Sequence, residues 1–333
     1  MSKKVSALLR IIISFGLLGF LFWIMRNEVR GVWSILSAAN PRYLFIAALL
    51  LLINVAFLGY RLKIIFLGET LELTFNKALQ LTCIGYFFNN FMPTAVGGDV
   101  VKAHYAANDN KKRIQSYASV MMDRFIGLYS FLIVAAIALV VDKGQFLKQA
   151  KVLVFVLLAI GMLGFFVATN RTVAAFMGRF FMKLKMFRLG EHLNAIYDIV
   201  HDYRNRGDVV LKSFMVSMVA QCLYFVVVYL FFIALETRVS LGNIFLIMPV
   251  VTFISMVPSV GGLGVREGAI VAFFSPFVGK ETAFAVSLLL LFGLFFISII
   301  GGIIYFWWGL NMTAKEKRGD GQRNPENNGL SGM

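Results

Sequence analysis

Cysteine is almost absent: the 333-residue sequence has two, Cys83 and Cys222, both inside apolar runs. That excludes a disulfide framework and a cysteine-based metal site. Histidine is nearly as scarce, with His104 beside basic sequence and His192 and His201 nine residues apart without a carboxylate or cysteine arrangement for zinc. Charged residues make up only 15% of the chain. No Ser-His-Asp order, Walker loop or dinucleotide fingerprint occurs, and Gly97-Gly98 is not followed by Lys-Ser/Thr, which removes support for nucleotide hydrolysis. No metal and no cofactor is expected.

What is abundant is apolar. Hydrophobic residues account for 59% of the chain and phenylalanine alone occurs 34 times. Several uninterrupted stretches reach the ~20 apolar residues needed to cross a bilayer as a helix. The expected fold is all-α, a polytopic integral membrane helical bundle forming one membrane domain over residues 1–310. The net charge of +15 would suggest nucleic acid in a soluble protein, but here Lys and Arg cluster between apolar spans. That pattern reports topology and anionic headgroups, and no nucleic-acid partner is expected.

Six full spans are read: Leu8 to Met25, Tyr43 to Phe66, Tyr117 to Val141, Val152 to Ala168, Val209 to Leu235 and Thr282 to Trp308. The first, with Lys3, Lys4 and Arg10 ahead of its apolar core, is read as an uncleaved helix rather than a signal peptide. Arg61 and Lys63, late in the second span, are expected to snorkel to cytoplasmic headgroups. Basic residues at the N-terminus, after Lys102, between Arg171 and Lys212, and in the tail at Lys315, Lys317 and Arg318 all belong on the cytoplasmic side. They share that side only if Ala78 to Gly98 enters and leaves from the cytoplasm and Ile244 to Val278 forms a hairpin from outside. Two oppositely oriented re-entrant hairpins, an inverted repeat, follow. The segment 171–206 reads as an amphipathic cytoplasmic stretch, and 311–333 as a disordered cytoplasmic tail.

A short motif marks both hairpins. Pro93-Thr94-Ala95-Val96-Gly97-Gly98-Asp99-Val100-Val101-Lys102 and Pro258-Ser259-Val260-Gly261-Gly262-Leu263-Gly264-Val265-Arg266-Glu267 share, with one deletion, a proline, a hydroxyl, a valine, Gly-Gly and a cation four residues beyond the second glycine. Broken apolar segments at matching places in two halves are the sequence pointer to a transporter's binding site. Pro93, Pro258 and Gly264 shape the turns. Gly97, Gly98, Gly261 and Gly262 leave backbone amides that attract phosphate or carboxylate.

Charge lies beside these turns. Asp99, Asp123, Arg124, Arg266 and Glu267 sit in or next to apolar sequence, where each ionised group costs about 2.5–3.5 kcal/mol on insertion scales. They must pair or line a wet cavity. Asp123 and Arg124, neighbours on a helix, point about 100° apart and cannot form the best pair with each other. They either lock spans together or contact substrate. Asn89 and Asn90 either satisfy free carbonyls of the first turn or contact a headgroup.

The runs NNFMPTAVGGDVVKAHYA, SVMMDRFIGL and VPSVGGLGVREGAI, in this order, resemble the flippase-like membrane domain of the lysylphosphatidylglycerol synthase family. That domain is the membrane half of the bacterial multiple peptide resistance factor and also occurs as stand-alone proteins. The resemblance spans roughly Val5 to Leu310. Gly97, Gly98, Asp99 and Lys102 match its first block, Asp123 and Arg124 its second, and Pro258, Gly261, Gly262, Gly264 and Glu267 its third. Lys102 stands where arginine is commoner, which keeps charge but loses bidentate phosphate contact.

The resemblance implies translocation, by flipping or scrambling, of a lipid with an anionic, aminoacylated or glycosylated headgroup across a bacterial or archaeal cytoplasmic membrane. The partners would be anionic phospholipid or polyprenyl-phosphate-linked lipid, with a separate synthase or glycosyltransferase as a further partner. Lacking the soluble aminoacyl-transferase domain of the two-domain members, the chain is not expected to be an enzyme. The rival readings are a membrane-embedded transferase on a phospholipid or polyprenyl carrier, with Asp99 or Glu267 as general base, and an accessory subunit of a synthase.

Overall fold

A computed structural model describes residues 29–92, 97–110, 113–141, 148–169, 203, 206–256 and 262–320. They form ten helices: α1 (Val29–Ser37), α2 (Pro41–Gly68), α3 (Phe75–Phe91), α4 (Gly97–Asn110), α5 (Arg113–Val141), α6 (Lys148–Thr169), α7 (Gly207–Ala234), α8 (Leu241–Ile254), α9 (Val265–Val278) and α10 (Lys280–Asp320). The protein is a polytopic helical membrane protein. Four helices are long and apolar enough to cross a bilayer, over Pro41–Gly68, Arg113–Val140, Gly207–Ala234 and Lys280–Trp308. Each coincides with an expected span. The expected span Val152 to Ala168 lies within α6, whose described apolar stretch is Val152–Gly161. Leu8 to Met25, and 171–206 apart from Tyr203 and Arg206, lie outside the described residues. Helix α10 continues past Thr313 to Asp320, ten residues beyond the expected boundary at 310.

Local signals set the helix ends. Pro41 occupies the first turn of α2, and the Asn40 side chain accepts the Arg42 N–H at 3.1 Å, an N-cap in which proline's missing donor costs nothing. Thr74 Oγ1 accepts the Lys77 N–H at 3.4 Å at the start of α3. Helices α3, α8 and α9 are shorter than a bilayer's hydrocarbon core requires. They pair with their neighbours as two helical hairpins, α3–α4 and α8–α9.

The structure carries the internal repeat well beyond the motif. Helix α2 ends in a turn in which Thr70 N–H donates to Leu67 O at 3.1 Å and Leu71 N–H to Phe66 O at 3.0 Å; α7 ends with Glu236 N–H on Ile233 O at 2.9 Å and Thr237 N–H on Phe232 O at 3.0 Å. These are the paired bonds of a Schellman motif. Thr70 and Glu236 take the left-handed conformation, with φ of 53° and 55°, and are the two non-glycine residues that do so among those described. Sixteen residues before each turn stand Asn54 and Ala220, and Asn54 Nδ2 donates to Ala220 O at 2.6 Å. Equivalent positions that touch mark a pseudo-two-fold axis between α2 and α7. Packing obeys it: α3 lies on α10 and α8 on α5, while α4 packs on α5 and α9 on α10.

The core is apolar and aromatic, with Phe66, Phe225, Phe232, Phe274 and Phe284 fully buried. A separate cluster of Leu62, Phe66, Leu81, Ala103, Ala106 and Val120 seats the first hairpin on α2 and α5. Outward-facing Phe45, Leu49, Val140, Phe155, Ile160, Phe292 and Phe306 are exposed, as a lipid-facing surface requires. At one end Tyr203 is buried, donating to Ile65 O at 2.9 Å and lying 3.2 Å from Ser119 Oγ. Burial pushes its phenol well above the usual tyrosine range, so it stays a donor. Arg206, 3.3 Å from Glu69 Oε1, completes the attachment of this segment to the end of α2.

Candidate functional site

The first hairpin turns so that α4 starts directly against α3. Gly98 has no space for a side chain: a Cβ there would overlap the Gly85 carbonyl oxygen and the Asn89 amide. Asn89 Oδ1 accepts the Gly98 N–H at 2.9 Å. Of the two roles expected for Asn89, a partner for the turn's carbonyls or a headgroup contact, this bond is neither: the side chain caps an amide, because the start of a helix leaves N–H groups unpaired. Asn90 reaches away from the turn to Ser298 Oγ at 2.5 Å and Leu294 O at 3.4 Å, tying α3 to α10.

Asp99 lies in the first turn of α4, where the helix dipole favours a carboxylate. Arg124 of α5 donates through Nη1 to Asp99 Oδ2, and Lys102 Nζ stands 3.6 Å from Asp99 Oδ1. Deeper, Asp123 Oδ1 accepts from Arg61 Nε at 2.7 Å, and its Oδ2 lies 3.8 Å from Lys102 Nζ. Adjacent on one helix, Asp123 and Arg124 face different partners, as their 100° separation demands. Three cations and two carboxylates thus form one connected cluster across α2, α4 and α5.

Arg61 corrects the sequence reading. It does not snorkel; it is buried at 6% exposure, because Asp123 offers it a partner inside the bundle. Lys63, which faces elsewhere on α2, is half-buried. From Arg61 a hydrogen-bonded chain leads on: Nη1 donates to Ser217 Oγ at 2.7 Å, Ser217 and Ser130 hydroxyls are 2.8 Å apart, and Ser130 Oγ donates to Gly127 O at 2.7 Å. Gln221 Nε2 reaches Ser130 Oγ at 3.2 Å. Ser217 and Gln221 belong to α7, so the cluster also grips the second half. The signal for Arg61 was its place inside a span, since a buried cation needs an anion.

The second hairpin repeats the pair of short helices but neither the turn nor the charge network: Gly97 and Gly98 open α4, whereas α9 begins only at Val265. Gly262 and Gly264 take φ of 78° and 79°, the region where a side chain is strained. Glu267 is fully buried; its Oε2 accepts the Gly264 N–H at 2.6 Å, and its Oε1 accepts Arg266 Nε at 3.1 Å and Nη2 at 2.8 Å. The pair neutralises itself within α9. Lys102 finds carboxylates on its own helix and on α5; Arg266, at the matching position, turns to its neighbour, because α10 from Thr282 to Trp308 has no charged residue.

Of the expected site residues, Gly98, Asp99, Lys102, Asp123 and Arg124 are brought together, whereas Gly262, Gly264, Arg266 and Glu267 form a separate group. Gly97 begins α4. Pro93, Pro258 and Gly261 lie outside the described residues. The helices of the two hairpins pack mainly on long helices rather than on each other. Among the described residues no group of three or more His, Cys, Asp or Glu could hold a metal.

Comparison with known proteins agrees with this architecture. A UPF0104 membrane protein of Methanothermobacter thermautotrophicus is 24% identical over 260 residues, covering 72% of this chain and 77% of its own. A UPF0104 membrane protein of Pyrococcus horikoshii is 24% identical over 328 residues, covering 89% and 95%. No solved structure matches the chain significantly. The family model described as the lysylphosphatidylglycerol synthase TM region matches residues 7–302, and the chain belongs to that family.

Proposed function

We propose that this protein moves a lipid with an anionic, aminoacylated or glycosylated headgroup between the leaflets of the cytoplasmic membrane. Its termini lie on the cytoplasmic side and its two hairpins enter from opposite faces. The observation that carries the reading is the cluster of Arg61, Lys102 and Arg124 against Asp99 and Asp123, buried at Arg61, Lys102 and Asp123 and partly exposed at Arg124 and Asp99. Three cations against two carboxylates at the start of a broken helical segment leave an excess positive charge, which suits a phosphate whose lipid chains stay in the bilayer.

The pseudo-two-fold repeat supports this function. With α5 and α6 crossing between the first hairpin and α7, the second unit runs opposite to the first. That arrangement lets one protein present similar surfaces to both leaflets. Membership of a family named for a lipid synthase's membrane region also fits a lipid-handling role.

The test is transport by the purified full chain in sealed liposomes, with labelled phosphatidylglycerol and a labelled prenyl phosphate in parallel. Protein-dependent appearance of either headgroup in the opposite leaflet is the expected result. Failure of both lipids to move contradicts the proposal.

A further inference from the structure

The two hairpins hold their acidic residues in different ways. Glu267 is fully buried and fixed by a backbone N–H at 2.6 Å as well as by Arg266. It cannot leave without stranding an amide. Asp99 is held by the side chains of Arg124 and Lys102. Its side chain is 13% exposed and that of Arg124 28%, whereas Arg61 and Asp123 are at 8% and 7%. The Asp99–Arg124 pair is therefore the outer end of the cluster, and Arg61–Asp123 its fixed inner end.

We propose that Asp99 is an internal stand-in for the substrate's phosphate. A phosphodiester entering the cluster takes the places of the two Asp99 oxygens on Arg124 and Lys102, and Asp99 swings outward. The exchange follows from shared chemistry: a guanidinium and an ammonium bind a carboxylate and a phosphate through the same charge-assisted donors. Asp123 stays in place, because Arg61 and its serine chain hold it from behind. The cations are thus never left unpaired inside the bundle, whether the site is empty or loaded, which avoids the cost of a bare buried charge. Release reverses the exchange, with Asp99 displacing the phosphate. This inference rests on the lipid-moving reading for the source of the phosphate, but not for the exchange itself.

Two measurements test it on the purified full chain. In calorimetric titration with dihexanoyl phosphatidylglycerol, Asp99→Asn removes the internal competitor and should bind about tenfold more tightly than wild type, the scale of one lost charge-assisted contact. Arg124→Ala should lose binding. Equal or weaker binding by a folded Asp99→Asn variant overturns the exchange. The second measurement needs no variant: carbodiimide labelling of Asp99, read by mass spectrometry, should rise severalfold as the short-chain lipid is added. Unchanged or reduced labelling overturns the proposal. If inorganic phosphate raises the labelling as strongly as the lipid does, the exchange stands and the lipid reading falls.

Discussion

Arg61 Nε donates to Asp123 Oδ1 at 2.7 Å, joining α2 to α5 across 62 residues of sequence inside a bundle whose exterior is apolar. This bond anchors the charged cluster, and its removal has a defined cost. Arg61→Ala leaves Asp123 buried with Lys102 at 3.8 Å as its remaining strong partner, and should destabilise the fold by about 3–5 kcal/mol. Replacing both members, Arg61→Met with Asp123→Leu, should cost less than either single truncation, since neither member of the pair is left buried without the other. Chemical unfolding in detergent micelles reads both effects; a double variant less stable than the singles contradicts this account of the pair.

Gly98 should tolerate no side chain. Gly98→Ala forces α4 away from the Gly85 carbonyl and from Asn89, with an expected loss of about 1–3 kcal/mol from overpacking. Thermal unfolding by circular dichroism checks this, and unchanged stability would show that the two helices do not meet as described.

Glu267→Ala should be among the most damaging single changes in the second hairpin, losing about 3–5 kcal/mol, because it strands both the Gly264 amide and the buried Arg266 guanidinium. Glu267→Gln keeps an oxygen for the amide and should recover part of that loss. Equal stability of the alanine and glutamine variants, measured by denaturant titration, would remove the capping role.

Tyr203→Phe deletes one hydroxyl that donates to Ile65 O and contacts Ser119. The buried carbonyl left behind predicts a loss of about 1–3 kcal/mol. Limited proteolysis near residue 203 should accelerate with it; an unchanged cleavage rate argues against this attachment.

Much of this architecture is legible in the sequence because apolar runs and glycine pairs carry their own physics. The spans over α2, α5, α7 and α10 and the breaks before α4 and α9 follow from length and glycine placement. Position 123 facing one partner and 124 another follows from helical periodicity. What sequence does not display is who meets whom. Arg61 lies 62 positions from Asp123 and reads equally well as a snorkelling residue until α5 is placed beside α2. The wider repeat is hidden for another reason: Thr70 and Glu236 share a left-handed backbone but no side-chain chemistry, because hydrogen bonds to the preceding helix set that conformation. The amide cap by Asn89 is hidden as well, because the side of the turn on which α4 begins determines whether amides or carbonyls are open to it.

The most direct test of the central claim is dithionite bleaching of phosphatidylglycerol, fluorescently labelled at the headgroup end, in sealed liposomes containing wild type or Arg124→Ala. Arg124 donates to Asp99 at the outer end of the cluster, so its loss should remove the anion's first contact while thermal unfolding confirms that the fold remains. The account predicts bleaching of both leaflets with wild type and of the outer leaflet alone with the variant. Bleaching of both leaflets by Arg124→Ala at the wild-type rate would contradict it.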